Sequence, residues 1–221
     1  MAITVVNTAS CDDATNTTSH VFSGLTFAGG NRLIYVGGFH LGNITGITDS
    51  ASNAWGQVRT TGANDQTWIF CTRSTEPLPI TSLTVTSSTG PVTGQLFEVS
   101  GVGYTETVSD VGPSGITGTS QVYPATPANM SLPSLFIVIA YTGTSTTFSA
   151  GTFTSGGGTV QAHTTAGTAY TGYFITTDLT EQGFTFTAGT SVQSQGFIVS
   201  FLPLDPSAGR FFHSTGLSVT S

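Results

Sequence analysis

The sequence predicts an all-β protein, a single two-sheet antiparallel β-sandwich of jelly-roll type with pseudo-repeated halves. Three observations predict it: helical periodicity is absent, strand patterns are dense, and the second half of the chain repeats the first. No run of residues places apolar side chains at i, i+3, i+4 and i+7, and the residues that favour helices are scarce.

Two kinds of strand pattern recur along the chain. Leu83–Ser87 and Phe184–Ala188 alternate strictly between apolar residues and threonine or serine, which predicts strands with one face inward. Three other segments are unbroken apolar runs bounded by turn residues, namely Leu33–Val36, Trp68–Cys71 and Leu135–Tyr141. These runs are typical of central strands that are covered on both faces.

The repeat consists of four pairs of segments in the same order. They are Leu33–His40 with Leu135–Thr142, Gln66–Arg73 with Tyr170–Thr177, Leu83–Ser87 with Phe184–Ala188, and Gln95–Val102 with Gln195–Leu202. Each half offers fewer strong strands than the roughly seven of an independent immunoglobulin-like domain, which favours two halves of one sandwich over two tandem domains.

These patterns predict the division of the chain. One sandwich domain spans residues 1–203, with half-repeats at about 20–102 and 133–203. The segment 103–134 is rich in Gly, Ser, Thr and Pro and is interpreted as a long crossover between the halves. Residues 204–221 follow an Asp-Pro turn and are interpreted as a C-terminal tail that packs against the domain or a neighbour.

The composition excludes several classes of partner. Charged residues make up 7% of the chain, with no lysine, four arginines and eleven carboxylates, so the net charge is −7. A nucleic-acid binder needs a basic surface, and an anionic membrane disfavours an acidic one. No apolar run is as long as a membrane span. A surface of threonine, serine, asparagine and glycine suits a packed assembly component, and it also suits a secreted sandwich.

Cys11 and Cys71 are the only cysteines, and two interpretations of them stay open. A disulfide would fix the N-terminal segment to the strand around Cys71. Two ordinary thiols, with Cys71 buried beside aromatic residues, are favoured because free buried cysteine is common.

Acidic and histidine residues give no recognisable catalytic or metal site. Glu98 lies mid-strand and its repeat partner is Ile198, so no symmetric carboxylate pair of a glycosidase arises, and we expect Glu98 in an outward or edge position. Asp12 and Asp13, and Asp49 with Asn53, carry calcium-type oxygens, yet such residues more often cap turns.

The four histidines, His20, His40, His163 and His213, lack the short spacing of a zinc site. No phosphate-binding loop and no nucleophile elbow is present. The sequence therefore predicts a protein that is not an enzyme and holds no cofactor and no metal.

Three aromatic residues keep a carbohydrate-binding hypothesis open. Trp55, Tyr104 and Tyr123 fall between the predicted strands, where exposed aromatic side chains could stack on a sugar. Trp68 and Tyr173 fall within strands and are expected in the core.

A pattern of strands and turns across roughly residues 20 to 203 resembles a known group of proteins. The segments that carry it are Gly30–Val36, Ile47–Asn53, Trp68–Cys71, Leu83–Thr86, Phe97–Gly101 and Phe197–Pro203. They resemble Thr/Gly-rich β-sandwich structural proteins of tailed bacteriophages, a group with relatives among bacterial surface proteins. The resemblance brings no catalytic residues with it.

The resemblance implies a non-enzymatic virion structural protein, made in the host cytoplasm and placed on the capsid exterior as a decoration protein. Its expected partners are the major capsid protein or other virion proteins, and a homo-oligomer is expected, since a trimer would suit a threefold capsid position. Head fibres and tail fibres are further settings for such domains. The alternative is a carbohydrate-binding or receptor-binding module of a phage fibre or a bacterial surface protein. An enzyme such as a polysaccharide depolymerase is the weakest hypothesis.

Overall fold

The computed structural model describes residues 2–39, 43–60, 67–74, 76–126, 134–142, 149, 151–155, 158–163, 168–176 and 182–204, with backbone only at 39, 104–116, 124–126, 162 and 168. Within these residues the chain forms thirteen strands and no helix. The strands are β1 (Thr4–Ser10), β2 (Asp13–Phe27), β3 (Arg32–Phe39), β4 (Ile44–Asp49), β5 (Trp55–Thr60), β6 (Thr67–Thr72), β7 (Ile80–Ser100), β8 (Val102–Thr126), β9 (Ser134–Thr142), β10 (Thr152–Phe153), β11 (Thr159–His163), β12 (Thr168–Thr176) and β13 (Gln182–Pro203).

Two antiparallel sheets contain all of these strands, which confirms the predicted all-β, two-sheet sandwich. The first sheet has the order β1-β7-β3-β6-β5, with β2 and β4 also paired to β7. The second has the order β10-β13-β9-β12-β11, with β8 also paired to β13. The connections refine the expected jelly-roll type: the first sheet uses only β1–β7, the first half, and the second only β8–β13, the second half. In a jelly roll the chain crosses between the sheets instead.

The duplication seen in the sequence is present in the topology of the two halves. In each half one long strand, β7 or β13, lies at the centre. One side of it is lined by β1 and β2 in the first half and by β8 in the second. The other side carries β3 and β4, or β9 and β10, and the sheet continues through β6 and β5, or β12 and β11.

The residue-by-residue match of the repeat holds in one part of the sheets. Phe22 pairs with Leu83 in the first half, and Tyr123 pairs with Phe184 in the second, so the predicted equivalence of Leu83–Ser87 and Phe184–Ala188 agrees with the register.

The predicted match of Leu33 with Leu135 is wrong, because the two residues face opposite sides of their sheets. Leu33 lies in the core within the first half, whereas Leu135 and Ile34 both face the other half. Both faces of these strands are buried and apolar, so no polar residue in the sequence marks which face is which.

Three hydrophobic clusters hold the molecule together. The shared cluster lies between the two sheets and contains Ile34, Val36, Ile69, Phe97 and Val99 of the first half against Leu135, Ile137, Ile139, Phe197, Val199 and Phe201 of the second. The first-half cluster and the second-half cluster each lie on the opposite face of one sheet. As the alternation predicts, Leu83 and Val85 are fully buried in the first-half cluster, and Phe184 and Phe186 are buried in the second-half cluster.

The long strands β7 and β13 make this arrangement possible. The first part of β7 pairs with β2 and β4, and its last part pairs with β1 and β3. Side chains from both parts meet in the first-half cluster, for example Leu83 and Leu96. The strand therefore belongs to two layers that enclose one core. Gly90, at φ 156°, and Gly94 lie where the pairing changes, and glycine permits the strong bend there.

Residues 103–126 do not form the loop-like crossover expected from the composition of the segment 103–134. Residues 102–126 are strand β8, which pairs with β13 along most of its length. Because β8 pairs on one side only, it tolerates the glycines and Pro113 that would disfavour a central strand. The predicted tail lies outside the described residues apart from Leu204, whose N–H donates to the carbonyl of Gly101.

Candidate functional site: a polar circuit between the halves

The aromatic residues proposed to face a ligand do not form a common surface. Tyr123 is 1% exposed and packs in the second-half cluster, so the expectation of an exposed loop tyrosine is wrong. It lies on a strand, one residue from the exposed Val122, and alternation turns its ring inward. Trp55 begins β5, is half-buried, and donates from Nε1 to Asp49 Oδ2 at 2.7 Å. The side chain of Tyr104 lies outside the described residues.

The two cysteines are free thiols, which is the favoured alternative of the sequence interpretation, and the disulfide is wrong. Cys11 belongs to the first-half cluster and Cys71 to the shared cluster, so a sheet separates them. Burial raises the pKa of the Cys11 thiol well above its ordinary value, and the neighbouring Asp12 carboxylate raises it further. Such a thiol is uncharged at neutral pH and serves as a small apolar side chain.

Asp49 caps the turn that follows β4 and does not present a free carboxylate. Its Oδ1 accepts hydrogen bonds from the N–H groups of Ala51 (2.9 Å) and Asn53 (3.1 Å). Its Oδ2 accepts from Asn53 Nδ2 at 3.1 Å and from the Trp55 indole. The carboxylate therefore orders the turn and the start of β5, as the turn-capping interpretation expects.

Glu98 differs from its expected outward or edge position. It is 1% exposed, on the face of β7 that carries Leu96, and it accepts a hydrogen bond from Asn31 Nδ2 at 2.9 Å. In the sequence, a carboxylate within an apolar strand indicated a side chain on the solvent-exposed face. The strand is covered on both faces instead, and Asn31, which follows the Gly29–Gly30 turn, supplies the donor.

The most extensive polar arrangement in the described residues is a closed series of hydrogen bonds that joins the two halves. We call it the polar circuit. Six residues form it: Ser10, Asp12, Gln95, Gln161, His163 and Thr171. The first three belong to the first half, at the β1–β2 junction and in β7. The other three belong to β11 and β12 of the second half.

The Asp12 carboxylate is the anionic end of the circuit. It lies 2.9 and 3.0 Å from His163 Nδ1, and its Oδ1 also accepts from Thr93 Oγ1 at 2.5 Å and from Gly94 N–H at 3.2 Å. Ser10 donates to Oδ2 at 2.9 Å. Burial works to raise the pKa of Asp12, but the hydrogen bonds from His163, Thr93 and Ser10 outweigh it and hold that pKa below its ordinary value of 3.8.

The remaining contacts run through the two glutamines. Gln161 Nε2 donates to Ser10 Oγ at 2.9 Å, and Gln95 Nε2 donates to Gln161 Oε1 at 2.8 Å. Thr171 donates to Gln95 Oε1 at 2.6 Å, and its Oγ1 is 2.7 Å from His163 Nε2. Gln95, His163 and Thr171 are at most 5% exposed. Every contact of the circuit is a direct contact between protein groups. The contacts around Gln95, His163 and Thr171 are shielded from water, whereas Ser10 is exposed.

Asp12, His163 and Thr171 have the order of contacts of a nucleophilic triad, yet the surroundings do not suit catalysis. In a triad the hydroxyl is free to attack a substrate, with the histidine as its base. Thr171 is 0% exposed, and its hydroxyl hydrogen is engaged by Gln95. The arrangement can orient and neutralise charge, and it fixes one half against the other.

A second histidine has similar contacts within the first half. His20 is 0% exposed, with Nδ1 2.8 Å from Asp13 Oδ2 and Nε2 3.1 Å from Ser87 Oγ. Asp13 also accepts from the N–H and hydroxyl of Thr15, and its pKa lies below the ordinary value because these bonds and His20 outweigh the effect of burial. The Ser87 hydroxyl donates to the carbonyl of Ser88. Asp12 and Asp13 thus each hold a buried histidine.

A cavity of about 260 Å³ lies beside β5 and β6. Arg32 and Arg73 line it. Arg32 is 4% exposed, donates to the carbonyls of Thr72 and Gly103, and lies 5.6 Å from the centre of the Phe201 ring. This guanidinium therefore links the sheets at the end of the shared cluster.

Sequence reasoning missed the glutamines and Thr171 altogether and treated Asp12 only as a calcium ligand or a turn cap. One signal was present: Gln95 opens the segment Leu96–Val99, in which three of the four residues are apolar, and a buried amide there requires a partner. The partners lie 66 and 76 positions away in the chain, and only the packing of the sheets brings them together.

No family model, curated protein or solved structure matches the chain. Within the described residues no three His, Cys, Asp or Glu side chains lie close enough to hold a metal ion. That same part of the chain holds no helix long and apolar enough to cross a membrane. The function is therefore argued from the geometry and from the resemblance given by the strand pattern.

Proposed function

We propose that the protein is a non-enzymatic structural protein of a tailed-bacteriophage virion, most readily a decoration protein on the capsid exterior. One observation carries the proposal: the side chains that could perform chemistry make contacts within the molecule instead. Asp12 and His163 join the halves, Asp13 binds His20, and Asp49 orders a turn. The resemblance of the strand pattern to phage structural proteins supports the same conclusion.

The body of the molecule suits mechanical contact. Two duplicated halves share a continuous apolar cluster, so a load applied to one half is transmitted to the other. The exposed stretch of β2 from Ala14 to Ser19 carries alanine, threonine, asparagine and serine side chains. Because charged residues make up 7% of the chain, its surface loses little charge solvation when it packs against another protein. Docking on a capsid lattice would then rest on hydrogen bonds and shape.

The test is the copy number and position of the chain in purified virions. Quantitative mass spectrometry should find the chain in a fixed ratio to the major capsid protein, and cryo-electron microscopy should place it in density outside the shell. Purified chain should also rebind to capsids from which it has been removed. Virions that contain no copies, or a few copies confined to the tail tip, would rule out the decoration role.

The carbohydrate-binding alternative is weakened by the positions of its aromatic residues. Tyr123 is buried, and the indole N–H of Trp55 is bound to Asp49. Only Tyr104 of the three remains as a candidate sugar-stacking residue. For these reasons we do not advance a glycan-binding function.

A further inference from the structure

An outside substrate cannot reach the buried Thr171 hydroxyl, but a carboxamide of the chain itself lies against it. Thr171 Oγ1 is 2.6 Å from the side-chain oxygen of Gln95 and 2.7 Å from His163 Nε2. His163 Nδ1 lies 2.9 Å from Asp12 Oδ2. A hydroxyl, a base and an orienting carboxylate are therefore assembled beside a carbonyl carbon, and acyl transfer requires these parts. Thr171 is on β12 and Gln95 is on β7, so a bond between them joins the two halves.

We propose that Thr171 and Gln95 form an ester cross-link, with release of ammonia, once the two halves have packed together. The Thr171 oxygen attacks Cδ of Gln95, and His163 Nε2 takes the hydroxyl hydrogen as general base. When the Cδ–Nε2 bond of Gln95 breaks, His163 returns that hydrogen to the departing nitrogen, which leaves as ammonia. One C–O bond replaces one C–N bond, and the step is balanced without an oxidant or a reductant.

The two glutamine amides present the reacting atoms when both are turned over. Turning an amide exchanges its oxygen and nitrogen and keeps the heavy-atom contacts of the circuit, and heavy-atom positions alone do not distinguish the two orientations. In the turned orientation Gln161 donates to the Gln95 oxygen across the 2.8 Å contact, and the Gln95 nitrogen lies beside Thr171. Ser10 then donates to the Gln161 oxygen. The Thr171 hydrogen is released for His163, and the Gln161 amide faces the oxygen on which negative charge develops.

Burial and fixed geometry favour both the formation of the ester and its survival. Gln95, His163 and Thr171 are 5%, 2% and 0% exposed, so little water reaches the bond to hydrolyse it. Groups held in contact react as if at an effective concentration of about 10⁵–10⁸ M. An amide is ordinarily more stable than an ester, but the released ammonia escapes and becomes ammonium in water. The reverse reaction therefore lacks its nucleophile.

The cross-link fastens the molecule where its two halves meet. Gln95 and Thr171 lie 76 positions apart in the chain, and the same strands carry Phe97 and Tyr173 into the shared cluster. The linked chain cannot come apart into two halves without breaking a covalent bond, even when its hydrogen bonds and apolar contacts are lost. The reaction involves no partner, so it is independent of where the protein acts.

Mass spectrometry of the full chain, folded, incubated and then denatured, tests the proposal. The chain should weigh about 17 Da less than its sequence, the mass of the one ammonia lost in acyl transfer. Chymotryptic digestion should release the peptide that contains Gln95 joined to the peptide that contains Thr171. Mild alkali should separate the two peptides and convert Gln95 to glutamate. A folded chain with the full mass of its sequence, or a loss of ammonia at any other residue alone, would overturn the proposal.

Paired variants separate this chemistry from the packing of the same side chains. Thr171→Ser keeps a hydroxyl and should form the link, whereas Thr171→Val keeps the shape of the side chain and should retain the full mass of its sequence. Thr185→Val, at an exposed position on β13, is the matched control and should lose ammonia as the native chain does.

The rate of the reaction tests the role of the histidine. In chain freshly made by cell-free synthesis, His163→Gln lacks the general base and should release ammonia at least about 100-fold more slowly than the native chain. Equal rates in these two chains, or a linked product in Thr171→Val, would refute the mechanism. If a variant fails to fold, the peptide map of the native chain still decides whether the link exists.

Discussion

Phe97→Ala tests whether the two halves unfold as one unit. Phe97 is fully buried in the shared cluster, and its ring meets that of Tyr173 in the second half edge-on, with 6.0 Å between centroids. A buried phenylalanine removes about 200 Å² from water, worth about 5 kcal/mol at about 25 cal/mol per Å². Measured Phe→Ala losses in cores are about 3–5 kcal/mol, and an edge-on pair adds about 1 kcal/mol. We expect a loss of about 4–5 kcal/mol.

The assay is urea unfolding followed by two signals. Both tryptophans, Trp55 and Trp68, lie in the first half, so their fluorescence reports on that half, whereas circular dichroism reports on all strands. For Phe97→Ala the two signals should give the same lowered midpoint.

Phe184→Ala is the matched control, because it removes the same side chain from the second-half cluster, where Phe184 is also fully buried. If the halves are coupled, this change in the second half lowers the midpoint of the tryptophan signal in the first. A tryptophan transition that stays at the native midpoint in Phe184→Ala, or a loss below about 1 kcal/mol in Phe97→Ala, would refute the shared core.

Three further predictions concern single groups. The Tyr35 hydroxyl is buried and has no hydrogen-bond partner among the described residues, so Tyr35→Phe should raise the free energy of urea unfolding by about 1 kcal/mol. Tyr170→Phe, which removes a bonded hydroxyl, should lower it by about 1 kcal/mol. A less stable Tyr35→Phe variant would contradict this reasoning. Gly196→Ala places a Cβ within 1.9 Å of a carbonyl oxygen of the adjacent strand, so it should lower the stability measured by thermal unfolding by about 3 kcal/mol. Gly46→Ala, where the Cβ meets open space, should lower it by about 0.5 kcal/mol or less. Equal losses in the two variants would show that the strands can separate at Gly196. Because the pKa of Asp12 in the folded protein lies below 3.8, its contribution to stability is complete above that pH and is lost as the pH falls through the lower folded value. The stability measured between about pH 5 and about pH 2 should therefore fall less steeply in Asp12→Asn than in the native chain. Parallel curves would show that Asp12 does not contribute to the acid sensitivity.

Much of the fold could be predicted because each strand is recognisable from a few neighbouring residues. The alternation in Leu83–Ser87 and the apolar run Leu135–Tyr141 are local signals, and the structure has strands at both places with the expected burial. The repeated segments also occupy corresponding places in the two sheets, as β3, β6 and β7 in one sheet and β9, β12 and β13 in the other. Two-sheet packing follows from strands that are apolar on both faces.

The sequence-based predictions failed where the local residue pattern gives no information on which strands pair with each other. The composition of 103–134 resembles a loop, but an edge strand makes hydrogen bonds on one side only and accepts the same residues. The offset between Leu33 and Leu135 could not be fixed, since a one-residue slip leaves an apolar run apolar. The polar circuit depends on which strands of one sheet face which strands of the other, and no short segment of sequence contains that choice.

The comparison of the two halves separates what the duplication kept from what it changed. His20 and Gln121 lie at matching positions, opposite Val85 and Phe186, and both are fully buried. Both halves keep a buried polar side chain at this position, but the residue type differs. This is expected if the side chain makes hydrogen bonds within the fold and performs no reaction.

The polar circuit has no such counterpart, because it joins the β1–β2 junction and β7 of one half to β11 and β12 of the other. Apolar side chains in the shared cluster can pack at similar free energy in more than one relative position of the two sheets. The circuit cannot, because a shift of either half would separate the buried His163 from the partly buried Asp12 and leave both without their partners, at a cost of several kcal/mol. Apolar packing therefore supplies most of the stability between the halves, and the circuit selects the one arrangement in which that packing occurs.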